Sequence, residues 1–179
     1  MFFRGNLIAL LLLFAASSLS HAQLPEMTPS GILADRVLPM AHLEELDGSP
    51  QSATANLSRW RQAVHELNRA AEYPLGWPSG RDLATSRTTG KPRNEIPLAV
   101  IWARYDRLDS AGRIQQARVF AFTPLCADSY HGQNLILHLA EESILTHGAG
   151  EITHWELDAD EGQGWREFQP GQDIPVSYP

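Results

Sequence analysis

The side chains able to do chemistry are few, and they are scattered along the chain. Cys126, Asp128, Ser129 and His131 fall within one short segment, and such types can supply a nucleophile, a base and an orienting acid. A nucleophile must also sit on a sharp elbow beside an oxyanion hole, and no Gly-x-Ser-x-Gly sequence provides one. The segment therefore reads as a polar turn and the chain as non-catalytic, with no cofactor implied. Asp158-Ala159-Asp160-Glu161-Gly162 offers carboxylates at a spacing that calcium can use, so Asp158, Asp160 and Glu161 are candidate ligands. A helix-loop-helix calcium site would need an oxygen donor at Gly162, a glycine at Gln163 and a glutamate at Gln169. The competing reading of this loop is a strand connection turned by aspartate and glycine.

Six histidines follow the N-terminal segment: His42, His65, His131, His138, His147 and His154. None stands in a His-x-x-x-His or Cys-x-x-Cys pattern, so no zinc spacing is present. His138 and His154 lie in expected strands and could approach each other between layers. Of five tryptophans, Trp60 and Trp102 sit among apolar neighbours and are expected in the core. Trp77 and Trp165, flanked by glycine, proline and polar residues, are the candidate exposed platforms on which a sugar ring could stack. Cys126 is the single cysteine, so no intramolecular disulfide can form, and its apolar neighbours suit a buried thiol.

The elements that must position these residues can be read from periodicity. Residues 1–22 combine Arg4, an apolar run from Leu7 to Ala16 and small residues at Ser20 and Ala22, the three zones of a secretory signal peptide. That run is about half the roughly 20 residues that a membrane span needs, so no membrane span is expected after cleavage. Residues 23–52 hold Pro25, Pro29, Pro39 and Pro50 and read as an extended leader with a helical turn near Ala41 to Leu46. Residues 53–95 form a helical segment and loop. Leu57, Trp60, Val64, Leu67 and Ala71 recur every three or four positions on one helix face, with Arg59, Arg61, Gln62, Glu66 and Asn68 largely elsewhere. Asn56 is its expected cap and Pro74 its limit. A second short helix is expected near Arg81 to Arg87, capped by Ser79 or Asp82.

From residue 96 the pattern changes to short apolar runs between turn residues: 98–105, 116–122, 134–139, 152–157 and 174–178, with 143–146 and 165–168 less marked. Seven strands at this density predict a β-sandwich of antiparallel strands. The chain of 179 residues is 43% hydrophobic and 20% charged, which suits a globular fold. Removing the signal segment with Arg4 turns its formal net charge of −7 into −8. This balance, without any basic run, excludes nucleic acid as a partner.

The segment from Gly150 through Trp155, Asp158, Asp160, Gly162 and Trp165 to Ile174-Pro175-Val176-Ser177-Tyr178 resembles part of a PKD-like, immunoglobulin-like domain. The order shared is a tryptophan, an acidic glycine turn, then a strand ending in tyrosine. The runs 95–101 and 118–125 together with this segment resemble the N-terminal region of longer uncharacterised exported bacterial proteins. The resemblance implies a non-catalytic β-module whose sandwich continues in longer chains. The expected class is α+β: an extended leader, an amphipathic helix and an immunoglobulin-like β-sandwich over 96–179. Its expected role, periplasmic or secreted, is protein interaction or structural support, with an open sheet edge near Ser177 pairing with another protein. A carbohydrate-binding module and the N-terminal fragment of an exported hydrolase are the alternatives. Mass spectrometry of the protein recovered from the exported fraction should give a 157-residue chain whose N-terminus is Gln23; an intact Met1 would contradict the cleavage.

Overall fold

A computed structural model describes residues 29–49, 51–126 and 132–178. The fold is α+β, with two helices and a mixed sheet in the order β2 (Ile114–Pro124), β1 (Glu95–Leu108), β3 (Asn134–His138), β7 (Asp173–Ser177), with β4 (Ile144–His147) pairing with β1 beside β3. Helix α1 spans Leu57–Ala70, and the Asn56 side chain accepts from the Arg59 amide at its start. Helix α2 spans Gly80–Thr88, with the Ser79 hydroxyl accepting from the Asp82 amide. Gly80 permits close approach of the two helices, because a Cβ there would lie 3.0 Å from the Arg61 backbone and 3.2 Å from the Trp60 ring. Among the described residues no helix is long and apolar enough to cross a membrane.

Strand β1 (Glu95–Leu108) organises the sheet. Its sequence from Ile96 to Ala103 is almost uninterruptedly apolar, which is what a strand covered on both faces requires. Ala99, Ile101, Ala103 and Tyr105 point into a core shared with Trp60, Val64 and Leu67 of α1. Ile96, Leu98 and Val100 point the opposite way, into a second core with Leu135, Leu137, Trp155, Phe168 and Val176. Burial pushes the Tyr105 phenol up to about 12.

Antiparallel β2 (Ile114–Pro124) lies along one edge of β1, with Leu98 opposite Pro124 and Leu108 opposite Ile114. The other edge is shared by three segments in turn. Strand β3 (Asn134–His138) pairs with 95–97, β4 (Ile144–His147) pairs with 100–103, and the Ile32 carbonyl accepts from the Asp106 amide. Both β3 and β4 run parallel to β1, which corrects the expectation of antiparallel strands throughout. The reason is connectivity. Strand β2 returns to the starting end of β1, so a strand leaving that end on the far side must travel in β1's own direction. Strand β7 (Asp173–Ser177) pairs antiparallel with β3, and β5 (Glu156–Leu157) with β6 (Arg166–Glu167) makes a separate two-stranded ribbon.

The leader does not stay extended. It makes 3-10 turns at Ala34–Arg36 and Leu43–Glu45 and buries Ile32, Ala41, Leu43 and Leu46 in the helix-side core. Leu46 also accepts from the Phe120 amide on the outer side of β2. Glu66, expected on the polar side of α1, is instead only 2% exposed. Its Oε1 accepts from the Met40 amide at 2.6 Å, the Ala41 amide at 2.8 Å and the Gln62 side chain at 3.0 Å. The leader's own backbone donors thus draw this carboxylate inward. Replacing Glu66 by Ala strands the buried Ala41 amide and deprives the part-buried Met40 amide of its acceptor, an unsatisfied buried donor costing about 1–3 kcal/mol and a partly exposed one less. Denaturant unfolding of Glu66→Ala should therefore show a loss of about 2–5 kcal/mol; an unchanged midpoint would refute this role.

Candidate functional site

The ribbon β5–β6 is anchored by Trp155 and Phe168, whose rings lie 5.9 Å apart in the second core. The Phe168 amide donates to the Trp155 carbonyl. By strand alternation the next pair, Glu156 opposite Glu167, is then a non-hydrogen-bonded pair, the geometry that brings facing side chains closest. Two carboxylates are consequently set face to face. The His154 ring joins them, with Nε2 3.3 Å from Glu156 Oε1 and 3.8 Å from Glu167 Oε1. A second group, His42 with Glu44 and Glu45, lies on the 3-10 turn of the leader. There Glu45 already pairs with Arg59 at 2.7 Å.

The acidic loop beyond β5 closes on itself. The Asp160 amide donates to Asp158 Oδ1 at 2.9 Å, and Asp160 adopts a φ of 59°. Glu161 turns inward: its side chain is 1% exposed and lies 2.5 Å from Arg166 Nη2, an ion pair by distance that lacks hydrogen-bond angles. The Tyr178 hydroxyl donates to the Ala159 carbonyl at 2.6 Å. Burial, then the charges of Glu161 and Asp160, raise its pKa above that of ordinary tyrosine. Of the three calcium candidates, Asp158 thus turns the loop and Glu161 is committed to Arg166. The carboxylates that converge with a third ligating side chain here are Glu156 and Glu167 instead.

Trp60 and Trp102 are buried, Trp77 is half-buried against the helix-side core, and Trp165 remains 43% exposed. His138 contacts Asp173, its partner in register, at 2.8 Å, while His154 meets the two glutamates. His147 Nε2 contacts the Ser30 carbonyl. Cys126 packs half-buried against the second core. Asp128, Ser129 and His131 lie outside the described residues.

A second feature lies on the β1–β2 hairpin. Because the Phe120 amide points outward to Leu46, alternation makes Trp102–Phe120, Arg104–Arg118, Asp106–Gln116 and Leu108–Ile114 close, non-hydrogen-bonded pairs on one face. The Arg118 guanidinium lies 5.7 Å from the Trp102 ring centroid, and Phe120 meets that ring edge-on at 6.2 Å. Leu108 and Ile114 are each 44% exposed. Among the described residues neither Arg104 nor Arg118 has a carboxylate partner, and Arg104 Nε is buried without a hydrogen bond. Sequence reasoning had not singled out Glu156, Glu167 or this hairpin face. The signal for both is cross-strand register, which becomes readable once one backbone pair is fixed. Compared with known proteins, the chain matches no family model and gives no significant match to a curated protein or a solved structure.

Proposed function

We propose that this protein is an exported, non-catalytic binding module that holds a partner protein on the exposed face of the β1–β2 hairpin. The observation that carries the reading is that the exposed Leu108 and Ile114 share one face with the Arg104–Arg118 couple, which has no carboxylate salt-bridge partner among the described residues, the Asp106–Gln116 pair lying between them. Arginine is enriched at interaction hot spots, and here Arg118 stacks over the buried Trp102 ring while Leu108 and Ile114 add exposed apolar surface on the same face. In a chain of net charge −7, this local pair of cations favours a partner that presents a carboxylate next to an apolar side chain. Export is supported by the tripartite N-terminal sequence.

An immunoglobulin-like sandwich over 96–179 belongs to the same proposal. Its support is the second core, where β3 and β7 of the large sheet meet the β5–β6 ribbon; the parallel β1–β3 and β1–β4 pairs are its departure from that pattern. The end strand β7 is a less suitable docking edge. The register, continued by the Tyr178 amide donating to Gln133, turns the backbone of Asp173, Pro175 and Ser177 outward. Proline there offers no donor, and the Pro175 carbonyl already accepts from Arg166. A carbohydrate-binding reading is supported by the exposed Trp165 indole alone.

The test is to cross-link the partner in the cell of origin, purify it, and measure its affinity for the wild-type and variant chains. Ile114→Asp and Arg118→Glu should each weaken binding about tenfold or more, which corresponds to about 1.4 kcal/mol. Unchanged affinity in both variants, or failure to cross-link any partner, would overturn the proposal.

A further inference from the structure

The group at the start of the β5–β6 ribbon combines three features that do not depend on the partner-binding proposal. First, its donor set is mixed: one imidazole nitrogen, His154 Nε2, and two carboxylate oxygens, Glu156 Oε1 and Glu167 Oε1, all within 4.8 Å of one another. Second, backbone register fixes the two carboxylates opposite each other at a close pair position, where like charges facing each other are unfavourable. Third, neither glutamate has a lysine or arginine partner among the described residues, since the adjacent Arg166 is drawn onto Glu161. The sole counter-group is an imidazole, which is neutral unless it binds a proton. The arrangement is therefore short of a cation, and the ligand atoms are already gathered.

The spacing admits a single ion, and the donor types select among cations. With metal-to-nitrogen and metal-to-oxygen distances of about 2.0–2.2 Å, donors around a tetrahedral zinc ion lie about 3.4 Å apart. His154 Nε2 stands 3.3 Å and 3.8 Å from its two glutamates, so small side-chain adjustments bring all three onto one ion. Calcium and magnesium prefer sets made wholly of oxygen, whereas imidazole suits zinc. We infer that His154, Glu156 and Glu167 form a zinc-binding site at the ribbon, with a fourth position open to water or to an incoming donor group. In the leader, by contrast, His42 and its neighbours offer a set whose Glu45 is already neutralised by Arg59, so the site is assigned to the ribbon alone.

The experiment is calorimetric titration of the metal-stripped mature chain with Zn²⁺, repeated with Ca²⁺ and with the variants His154→Ala, Glu167→Gln and His42→Ala. All three positions are exposed, so the variants should fold, and circular dichroism verifies that they do. Zn²⁺ should bind at one site and Ca²⁺ should give no comparable isotherm. His154→Ala and Glu167→Gln should each reduce Zn²⁺ affinity at least tenfold, while His42→Ala leaves it unchanged. Replacement of Zn²⁺ by Co²⁺ should also give a visible absorption band that His154→Ala abolishes. No Zn²⁺ binding to the wild-type chain, or binding equally tight in His154→Ala and Glu167→Gln, would overturn the inference. Loss of partner binding in the hairpin variants bears on none of these readings.

Discussion

One strand supplies both hydrophobic cores, and the rest of the structure is arranged around that constraint. The side chains of β1 alternate between α1 on one face and, on the other, a second core shared with its sheet neighbours β3 and β7 and covered by Trp155, Leu157 and Phe168 of the ribbon. Its two edges are also occupied, by β2 along one side and by β3, β4 and the leader in succession along the other. A strand placed in this way cannot keep the polar alternation of an edge strand, because each polar side chain would be desolvated. The exceptions are informative. Asp106 is buried, but its carboxylate accepts from the Ser30 amide and its own amide donates to Ile32, so it ties the leader to the strand. Arg104 emerges where the second core ends.

The two surfaces with functional promise have one origin. Both are non-hydrogen-bonded cross-strand pairs of like charge, Arg104 with Arg118 on the hairpin and Glu156 with Glu167 on the ribbon. Folding stability alone does not favour such pairs, whereas a complementary ligand can relieve them. The ribbon is held at both ends. Trp155 and Phe168 anchor it in the second core, and Tyr178 with the Glu161–Arg166 pair fixes the loop beyond.

Much of this architecture is legible from local chemistry. The spacing of Leu57, Trp60, Val64 and Leu67 marks α1, and Asn56 and Ser79 cap the helices as their side chains require. The apolar runs mark the strands, although the run 152–157 supplies a strand only at Glu156–Leu157. What is illegible is whatever depends on partners distant in sequence. The inward turn of Glu66 requires knowing that Met40 and Ala41 arrive beside it. The parallel placement of β3 and β4 depends on which side of β1 the chain crosses. His154, Glu156 and Glu167 come together through ribbon register and not through a short motif, so histidine spacing could not reveal them. Asp158, Asp160 and Glu161 attract attention because they are adjacent in sequence, yet the loop fold gives Glu161 to Arg166.

The claim that β1 unites two cores into one folding unit is tested most directly by denaturant unfolding of the wild-type chain, Leu98→Ala and Ile101→Ala. Leu98 points into the second core and Ile101 into the helix-side core. Tryptophan fluorescence and far-ultraviolet circular dichroism should give one coincident transition, and each substitution should lower the stability of the whole by about 2–5 kcal/mol. Two separate transitions, with Leu98→Ala moving one and Ile101→Ala the other, would contradict the account.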